Sequence, residues 1–243
     1  MEEIQDGKVI WGETLWRYFS TDRFVDFLES SSLYHAAASQ FEDIFEGAAT
    51  ITHPAVENDE TNKGVEPLER AFADLRRMTK ISCWHRSSYE SDAMWKLYAQ
   101  SRKGVAICTT PELISLSAEP FRLKPEYGIE VLRGGPVEYV DLSKEKLRRS
   151  MLGIFYCKHM AFSWEKEFRL TISLRLASEF GVQIPDEGIK VGFDLHRLIN
   201  RIVLGPNLED DEKKRIIDAA GERGLEDKVE LSTLVYTPRY IAI

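Results

Sequence analysis

Hydrophobic residues recur along this chain with two different periods, and the periods predict strands and helices in turn. Short runs rich in β-branched and aromatic residues predict strands, whereas apolar residues three or four positions apart predict helices packed by one face. Strands are predicted at residues 15–19, 33–38, 79–85, 105–109, 129–132, 137–140, 168–174, 189–193, 199–204 and 229–236. One helix is predicted to start at Thr21-Asp22, with Thr21 as its cap, and to pack by Phe24, Phe27 and Leu28. Further helices are predicted over residues 67–78, 91–100, 144–160 and 211–220.

This succession of elements, with no internal repeat and no linker, predicts one α/β domain over residues 1–243. It is α+β-like, with a mixed, mainly antiparallel sheet flanked by helices. Gly134-Gly135 predicts a hairpin turn between two strands, because glycine accepts the positive φ that tight turns demand. The stretch from His53 to Val65 contains almost no apolar residue, so we expect a mobile loop near residues 53–66.

Charge and cysteine content narrow the classes of function. The net charge of -8 argues against a surface that binds nucleic acid through phosphate neutralisation. No apolar run is long enough to span a membrane and the N-terminus is acidic, so we expect a cytoplasmic protein with no membrane partner. Cys83, Cys108 and Cys157 are odd in number and widely spaced, which predicts reduced thiols near the core.

The candidate chemistry centres on two carboxylates, Glu165 and Glu167, at the start of a predicted strand. Residues i and i+2 of a strand face the same side, so both carboxylates should enter one cleft, with Arg169 extending the row. Two like charges this close are costly unless solvent, a cation or a cationic neighbour is present. Lys158 lies on the apolar face of a predicted helix, so we expect it to pair with these glutamates or with a ligand anion. The alternative is a solvated strand edge.

Other polar residues supply further candidates. Arg17 lies between two aromatic residues of a predicted strand, where a guanidinium could hold a planar or phosphate-bearing ligand, or could simply face solvent. Asp43 and Glu46 are predicted to lie on a solvated helical face. His85 is a single histidine at a strand end, which is typical of a hydrogen-bonded background residue. The five histidines show no metal-ligand spacing, so no metal is expected.

Four ordered blocks resemble one family. They span residues 15–169 and look like the signature of a widespread, largely bacterial family of domains of unknown function, a resemblance that implies no reaction. The blocks are Leu15–Tyr18, Phe41–Gly47, Met94–Ala99 followed by Gly104–Ile107, and Lys158 with Trp164–Arg169.

A looser resemblance implies chemistry. ADP-ribosyltransferases of the arginine-serine-glutamate type carry an arginine on the first strand, a Ser-Thr-Ser strand followed by a helix with an aromatic residue, and a later Glu-x-Glu pair. Arg17, Ser82 and Glu165-x-Glu167 occur here in that order, with Ser-Cys-Trp in place of Ser-Thr-Ser. By this similarity Arg17 would hold the phosphates of NAD as substrate, and Glu167 would stabilise an oxocarbenium-like transition state. Glu165 would orient the acceptor.

The resemblance and the candidate chemistry together give a set of site residues. We expect Glu165 and Glu167 to be catalytic, and the ligand-binding residues to be Arg17, Tyr18, Ser82, Trp84, Trp95, Tyr98, Lys158 and Arg169. Of these, Arg17, Tyr18, Trp95, Lys158 and Glu167 should line a common pocket, in which Tyr18, Trp84 or Trp95 would stack on nicotinamide.

Two other classes of function stay open. A non-catalytic domain would use the same arginine, aromatic residues and acids to bind a small molecule or an interaction partner. A metal-dependent nuclease would combine Asp43 or Glu46 with the two glutamates and Lys158, although the usual acid-x-lysine spacing is absent. The sequence leaves open whether an acceptor would be a protein or a nucleic acid.

Overall fold

The chain has an α/β fold with a mixed, mainly antiparallel sheet flanked by helices. The computed structural model describes residues 1–3, 8–43, 45–48 and 65–240, and only the backbone of residues 65–68. The strands are β1 (Glu2–Glu3), β2 (Leu15–Phe19), β3 (Ser32–Ala37), β4 (Thr79–Arg86), β5 (Val105–Thr109), β6 (Arg133–Pro136), β7 (Glu138–Val140), β8 (Cys157–His159), β9 (Glu167–Ser173), β10 (Ile189–Gly192), β11 (Arg201–Leu204) and β12 (Val229–Leu231). The helices are α1 (Thr21–Ser30), α2 (Val65–Met78), α3 (Asp92–Tyr98), α4 (Pro111–Ser117), α5 (Arg175–Glu179), α6 (Leu195–Leu198) and α7 (Asp210–Gly221).

The chain packs as two compact units. The first consists of Met1–Ile10, Leu33–Arg86 and Ala118–Gly192, and the second of Trp11–Ser32, Ser87–Ser117 and Phe193–Ile243. Each unit is made of segments that are distant in sequence, so neither could be recognised as a continuous stretch of the chain.

In the first unit, β9 is an inner strand. It pairs antiparallel with β4 on one side and with β6 on the other, while β1 runs parallel to β6. β3 pairs antiparallel with β4 and also pairs with β10, and β7 and β8 form a separate parallel pair. The first six of the seven residues of β9 are buried, as expected for a strand flanked on both sides. The register aligns His85 of β4 with Glu167 of β9.

In the second unit, β5 lies between β2 and β11 and pairs antiparallel with both, and β12 extends this sheet parallel to β11. All five residues of β5 are buried. Helix α1 follows β2, and the side chain of Ser20 accepts a hydrogen bond from the backbone N–H of Arg23. The cap is therefore Ser20, one residue before the predicted Thr21, which is the first residue of the helix.

Most of the predicted elements are confirmed. The strands predicted at 15–19, 33–38, 79–85, 105–109, 168–174, 189–193 and 199–204 are present within a few residues, as are the helices near Pro67, Ser91 and Asp211. The last predicted strand is shorter: β12 ends at Leu231 and a 3-10 turn follows at Thr233–Val235. In the described ranges, no helix is both long and apolar enough to cross a membrane.

The hairpin predicted around Gly134-Gly135 is wrong. Both glycines lie inside β6, which pairs with β9 over all four of its residues. At Gly134 the absence of a side chain leaves room for Met1, because a Cβ atom there would lie 2.3 Å from the sulfur of Met1.

The helix predicted at residues 144–160 is also wrong. The chain instead makes a 3-10 turn at Gly153–Tyr156 and then strand β8. All four residues of this turn are buried, whereas an amphipathic helix would expose one face. The loop predicted near residues 53–66 lies outside the described residues up to position 64, and Val65 begins α2.

Candidate functional site

Glu165 and Glu167 converge on one cation, although not by the strand geometry that the sequence predicts. Glu165 ends a 3-10 turn at Met160–Glu165, and Glu167 is the first residue of β9. Lys166 between them has φ 45, in the left-handed region, so the chain turns there and the i, i+2 rule for strands does not apply. The turn nevertheless brings both carboxylates to the ammonium of Lys158.

Lys158 is the bridge between the two glutamates. Its Nζ donates to Oε2 of Glu165 at 2.5 Å and to Oε1 of Glu167 at 2.8 Å. The ammonium also lies 4.6 Å from the ring centroid of Phe162, a distance suited to a cation–π contact. The predicted pairing of Lys158 with the glutamates is confirmed, but Lys158 belongs to strand β8 rather than to a helix.

Arg169 extends this row on the other side of Glu167. Its Nε donates to Oε2 of Glu167 at 2.6 Å, and its two terminal nitrogens donate to the two oxygens of Glu46 at 2.7 and 2.9 Å. One of those nitrogens also donates to the carbonyl oxygen of Phe155 at 2.7 Å. The side chains of Arg169 and Glu46 have 0% exposure, so this bidentate pair is fully desolvated.

The prediction that Glu46 lies on a solvated face is therefore wrong. Its partner is 123 residues away along the chain, so no local pattern could have revealed the pair. Asp43 has a different role, because its Oδ1 accepts the backbone N–H of Phe45 at 2.9 Å and thereby closes a turn.

The carboxylate row, which we define as Glu46, Arg169, Glu167, Lys158 and Glu165, alternates in charge. It contains three carboxylates and two cationic groups, so it carries one negative charge in excess when all five groups are ionised. In a buried site, one excess charge favours uptake of a proton or of a cationic group.

The pKa values of the two central carboxyls move in opposite directions. Burial, and then the neighbouring Glu167, raise the pKa of Glu165 to about 7. Burial also acts to raise the pKa of Glu167, but Arg169 and Lys158 outweigh it and hold this pKa well below its usual range. Neighbouring carboxyls with separated pKa values are typical of acid–base and electrostatic catalytic sites.

The backbone on both sides of Lys166 is held by neighbouring strands. Nδ1 of His85 lies 2.6 Å from the carbonyl oxygen of Glu165, and the backbone N–H of Arg86 donates to the carbonyl oxygen of Lys166. The hydroxyl of Tyr139 accepts the N–H of Glu167 at 2.7 Å. Burial lowers the pKa of His85 below its ordinary value, which favours the neutral imidazole. These contacts restrict the positions of the two carboxylates.

Ser82 and Trp84 lie on β4, next to the strand of Glu167. Ser82 is opposite Leu170 and Trp84 is opposite Phe168 in the antiparallel register. Both side chains are buried. Cys83, between them, has its pKa raised well above the usual value by burial and by the charge of Glu167, which disfavours the reactive thiolate.

The remaining candidates belong to the second unit. The guanidinium of Arg17 lies 5.5 Å from the ring centroid of Phe19, within cation–π distance, and Tyr98 is 49% exposed at the end of α3. The prediction that Arg17, Tyr18 and Trp95 share a pocket with Lys158 and Glu167 stays a prediction.

Tyr18 and Trp95 form a buried aromatic pair. Their rings meet edge to face at 4.9 Å, and the hydroxyl of Tyr18 accepts the N–H of Ser91. The indole of Trp95 is 0% exposed and donates to Glu90 at 2.8 Å. Glu90 also accepts from Ser232 and Thr233, a cluster that no sequence motif signals. The fully buried ring of Trp95 offers no open face for stacking in this conformation.

The nuclease alternative gains no ligand set from the structure. Among the described residues, no group of three or more histidine, cysteine, aspartate or glutamate side chains could hold a metal ion. Comparison of the chain with models of protein families, with curated proteins and with solved structures finds no match.

Proposed function

We propose that the chain is an ADP-ribosyltransferase-like enzyme that uses NAD as its substrate. The observation that supports this proposal is the carboxylate row, in which three buried carboxylates share two cationic groups. Cleavage of the bond between nicotinamide and ribose develops positive charge on the ribose, and one excess negative charge in a dry site would stabilise that charge.

Glu167 is the candidate for the electrostatic role. Lys158 and Arg169 keep it ionised, and they hold its two oxygens at 2.8 and 2.6 Å from their nitrogens. A carboxylate fixed in this way needs little reorganisation when charge develops beside it. The two cations also partly neutralise it, so the excess charge of the whole row contributes to the proposed stabilisation.

Glu165 is the candidate proton acceptor. Its pKa of about 7 is close to the optimum for a group that takes a proton from an attacking hydroxyl or amine at neutral pH. In the proposed reaction the C1′–N bond of the nicotinamide ribose breaks and nicotinamide leaves with the electron pair. The acceptor forms the new bond to C1′ and passes its proton to Glu165.

One further feature supports the proposal. The strand of Ser82 pairs directly with the strand of Glu167, so two of the motifs that carry the resemblance lie on neighbouring strands. Arg17 would hold the NAD phosphates from its own strand. Glu165 and Glu167 are only 5% and 6% exposed, so the proposed reaction requires the carboxylate row to open when NAD binds. We expect the half-buried ring of Phe162, which lies over Lys158, to move.

The test is release of nicotinamide from NAD labelled in the nicotinamide ring. Wild-type protein should release the label, and Glu167→Gln should lower turnover on the order of a hundredfold or more. The matched control is Glu179→Gln, which removes an exposed carboxylate from α5 and should leave turnover unchanged. Absence of turnover in the wild type, or full turnover in Glu167→Gln, would overturn the proposal.

One observation favours a second candidate, a non-catalytic ligand-binding or interaction domain. Arg169 and Glu46 bind each other bidentately with no exposure to solvent, which is typical of a structural ion pair. On this hypothesis NAD would bind without release of nicotinamide or would not bind, and Glu167→Gln would mainly lower the thermal midpoint. Measuring turnover and thermal midpoint on the same variants separates the two functions.

A further inference from the structure

The second unit contains a cavity of about 370 Å³ beside helices α4 and α6. Leu113, Leu116 and Ile199 supply apolar lining, and Leu116 is 59% exposed although it is a large apolar residue. This volume lies at the small end of the range for ligand pockets, which is roughly 300 to 1,000 Å³. The cavity is therefore large enough for a small organic molecule with an apolar part.

The titratable side chains that line this cavity are all of the basic types. Among the described residues that line it are His196, Arg197 and Lys228, and none of the lining residues is acidic. The whole protein has a net charge of -8, so a basic lining is the opposite of what the composition favours. Such a local cluster attracts anions even on an acidic protein, because charges further away than about 8 Å are largely screened at physiological ionic strength.

Lys228 is held in a defined position by the backbone. Its Nζ donates to the carbonyl oxygens of His196 and Ile199, both at 2.7 Å. An ammonium has three N–H donors, and these two bonds use two of them. The two neutral carbonyls leave the positive charge of Lys228 uncompensated, so the ammonium can act as a pre-positioned anchor for an anion.

Arg197 supplies a second cation at the rim. Its Nε lies 3.2 Å from Oδ2 of Asp194, the residue that caps α6, and its side chain is 66% exposed. A guanidinium carries five donors in a planar fork, so one contact through Nε leaves the terminal nitrogens for a carboxylate. Asp194 partly offsets this charge, which makes Lys228 the stronger of the two anchors.

We propose that this cavity binds a small amphipathic carboxylate. The carboxylate would lie at Lys228 and Arg197, and the apolar chain would pack against Leu113 and Leu116. From the volume we expect chains of about eight carbon atoms to fit. The site is independent of the carboxylate row and of any reaction with NAD.

Octanoate is the probe, and isothermal titration calorimetry of the full chain is the measurement. Octanoate should bind saturably at concentrations up to the millimolar range. Octanol, which has the same chain and no charge, should bind at least about tenfold more weakly, because it lacks the charge-assisted hydrogen bonds. Octylammonium should not bind. Equal affinities for octanoate and octanol, or no saturable binding of octanoate, would overturn the proposal.

Two variants locate the site. Lys228→Met should abolish measurable binding, but it also removes the donor of two backbone carbonyls and could impair folding. Arg197→Gln changes an exposed side chain and should weaken octanoate binding by roughly threefold to tenfold without unfolding the protein. The control Lys146→Gln removes one positive charge from an exposed position outside the cavity lining and should leave binding unchanged. Equal weakening in Arg197→Gln and Lys146→Gln would refute this location of the site.

Discussion

Replacing Arg169 by methionine should be among the most destabilising single changes in the first unit. Arg169 donates four hydrogen bonds, three to the carboxylates of Glu46 and Glu167 and one to the carbonyl of Phe155. Methionine retains much of the apolar volume but leaves the carboxylate of Glu46 buried without its cation. Glu167 keeps Lys158 as a partner, so Glu46 bears most of the loss.

Removal of one partner from a buried ion pair costs about 3 to 5 kcal/mol. For a chain of 243 residues, each kcal/mol corresponds to about 2 to 4 °C in thermal midpoint. Arg169→Met should therefore lower the midpoint by about 6 to 20 °C, and should lower the urea midpoint with little change in m-value. Arg175→Met, which breaks an exposed pair with Glu179 on α5, should cost less than about 1 kcal/mol.

A double-mutant cycle tests the cause. If the cost arises because the buried carboxylate of Glu46 is left without a cation, then Glu46→Met combined with Arg169→Met should be less destabilising than the sum of the single changes, by at least about 1 kcal/mol. Urea unfolding monitored by circular dichroism provides the four free energies. Additive single changes, or an Arg169→Met variant as stable as Arg175→Met, would refute the reasoning from burial and pairing.

Three further predictions concern Glu165, Glu90 and Gly104. The pKa of Glu165 is raised to about 7, so its protonation stabilises the fold at low pH, and this contribution should be lost as pH rises from about 4.5 to 7. Over that window the unfolding free energy of Glu165→Gln should therefore fall less steeply with pH than that of the wild type. Identical slopes would contradict the assignment. Burial raises the pKa of Glu90, but hydrogen bonds from Ser232, Thr233 and Trp95 outweigh it and lower the pKa, so the contribution of Glu90 is present at neutral pH and lost in acid. Glu90→Gln should accelerate hydrogen exchange in residues 232–235 at neutral pH by several-fold, because a partly exposed contact of this kind is worth about 1 kcal/mol. Unchanged exchange there would show that the carboxylate does not hold this segment. A Cβ atom on Gly104 would lie 2.0 Å from the carbonyl oxygen of Phe19, so Gly104→Ala should lower the unfolding free energy in urea by about 1 to 3 kcal/mol. The control is Gly128→Ala, which should be nearly neutral because a Cβ atom at Gly128 would meet nothing within 4 Å.

The sequence alone determined most of the secondary structure and part of the candidate site. The strand Val105–Thr109 is recognisable because buried strands are typically continuous runs of apolar and β-branched residues. The sequence also predicted a partner for Lys158, because a lysine in apolar surroundings must be paired, and it named Glu165, Glu167 or a ligand anion. The structure shows that both glutamates take this role.

Local pattern failed where distant segments determine the conformation. Gly134 and Gly135 are typical of a turn, yet they lie in β6 because β9 offers a partner along the whole segment. The residues around Phe155 have helical spacing, but they are buried on all sides, and a 3-10 turn followed by β8 brings Lys158 to the glutamates.

The role of Glu46 was decided by tertiary structure alone. Its neighbours in sequence predict a solvated helical face, and its actual environment is set by Arg169, 123 residues later in the chain. The same holds for Glu90, whose carboxylate accepts hydrogen bonds from Ser232, 142 residues later in the chain, and from Thr233. Sequence periodicity reports which face of an element is apolar, whereas the partner of a buried charge depends on long-range packing, which no local pattern encodes.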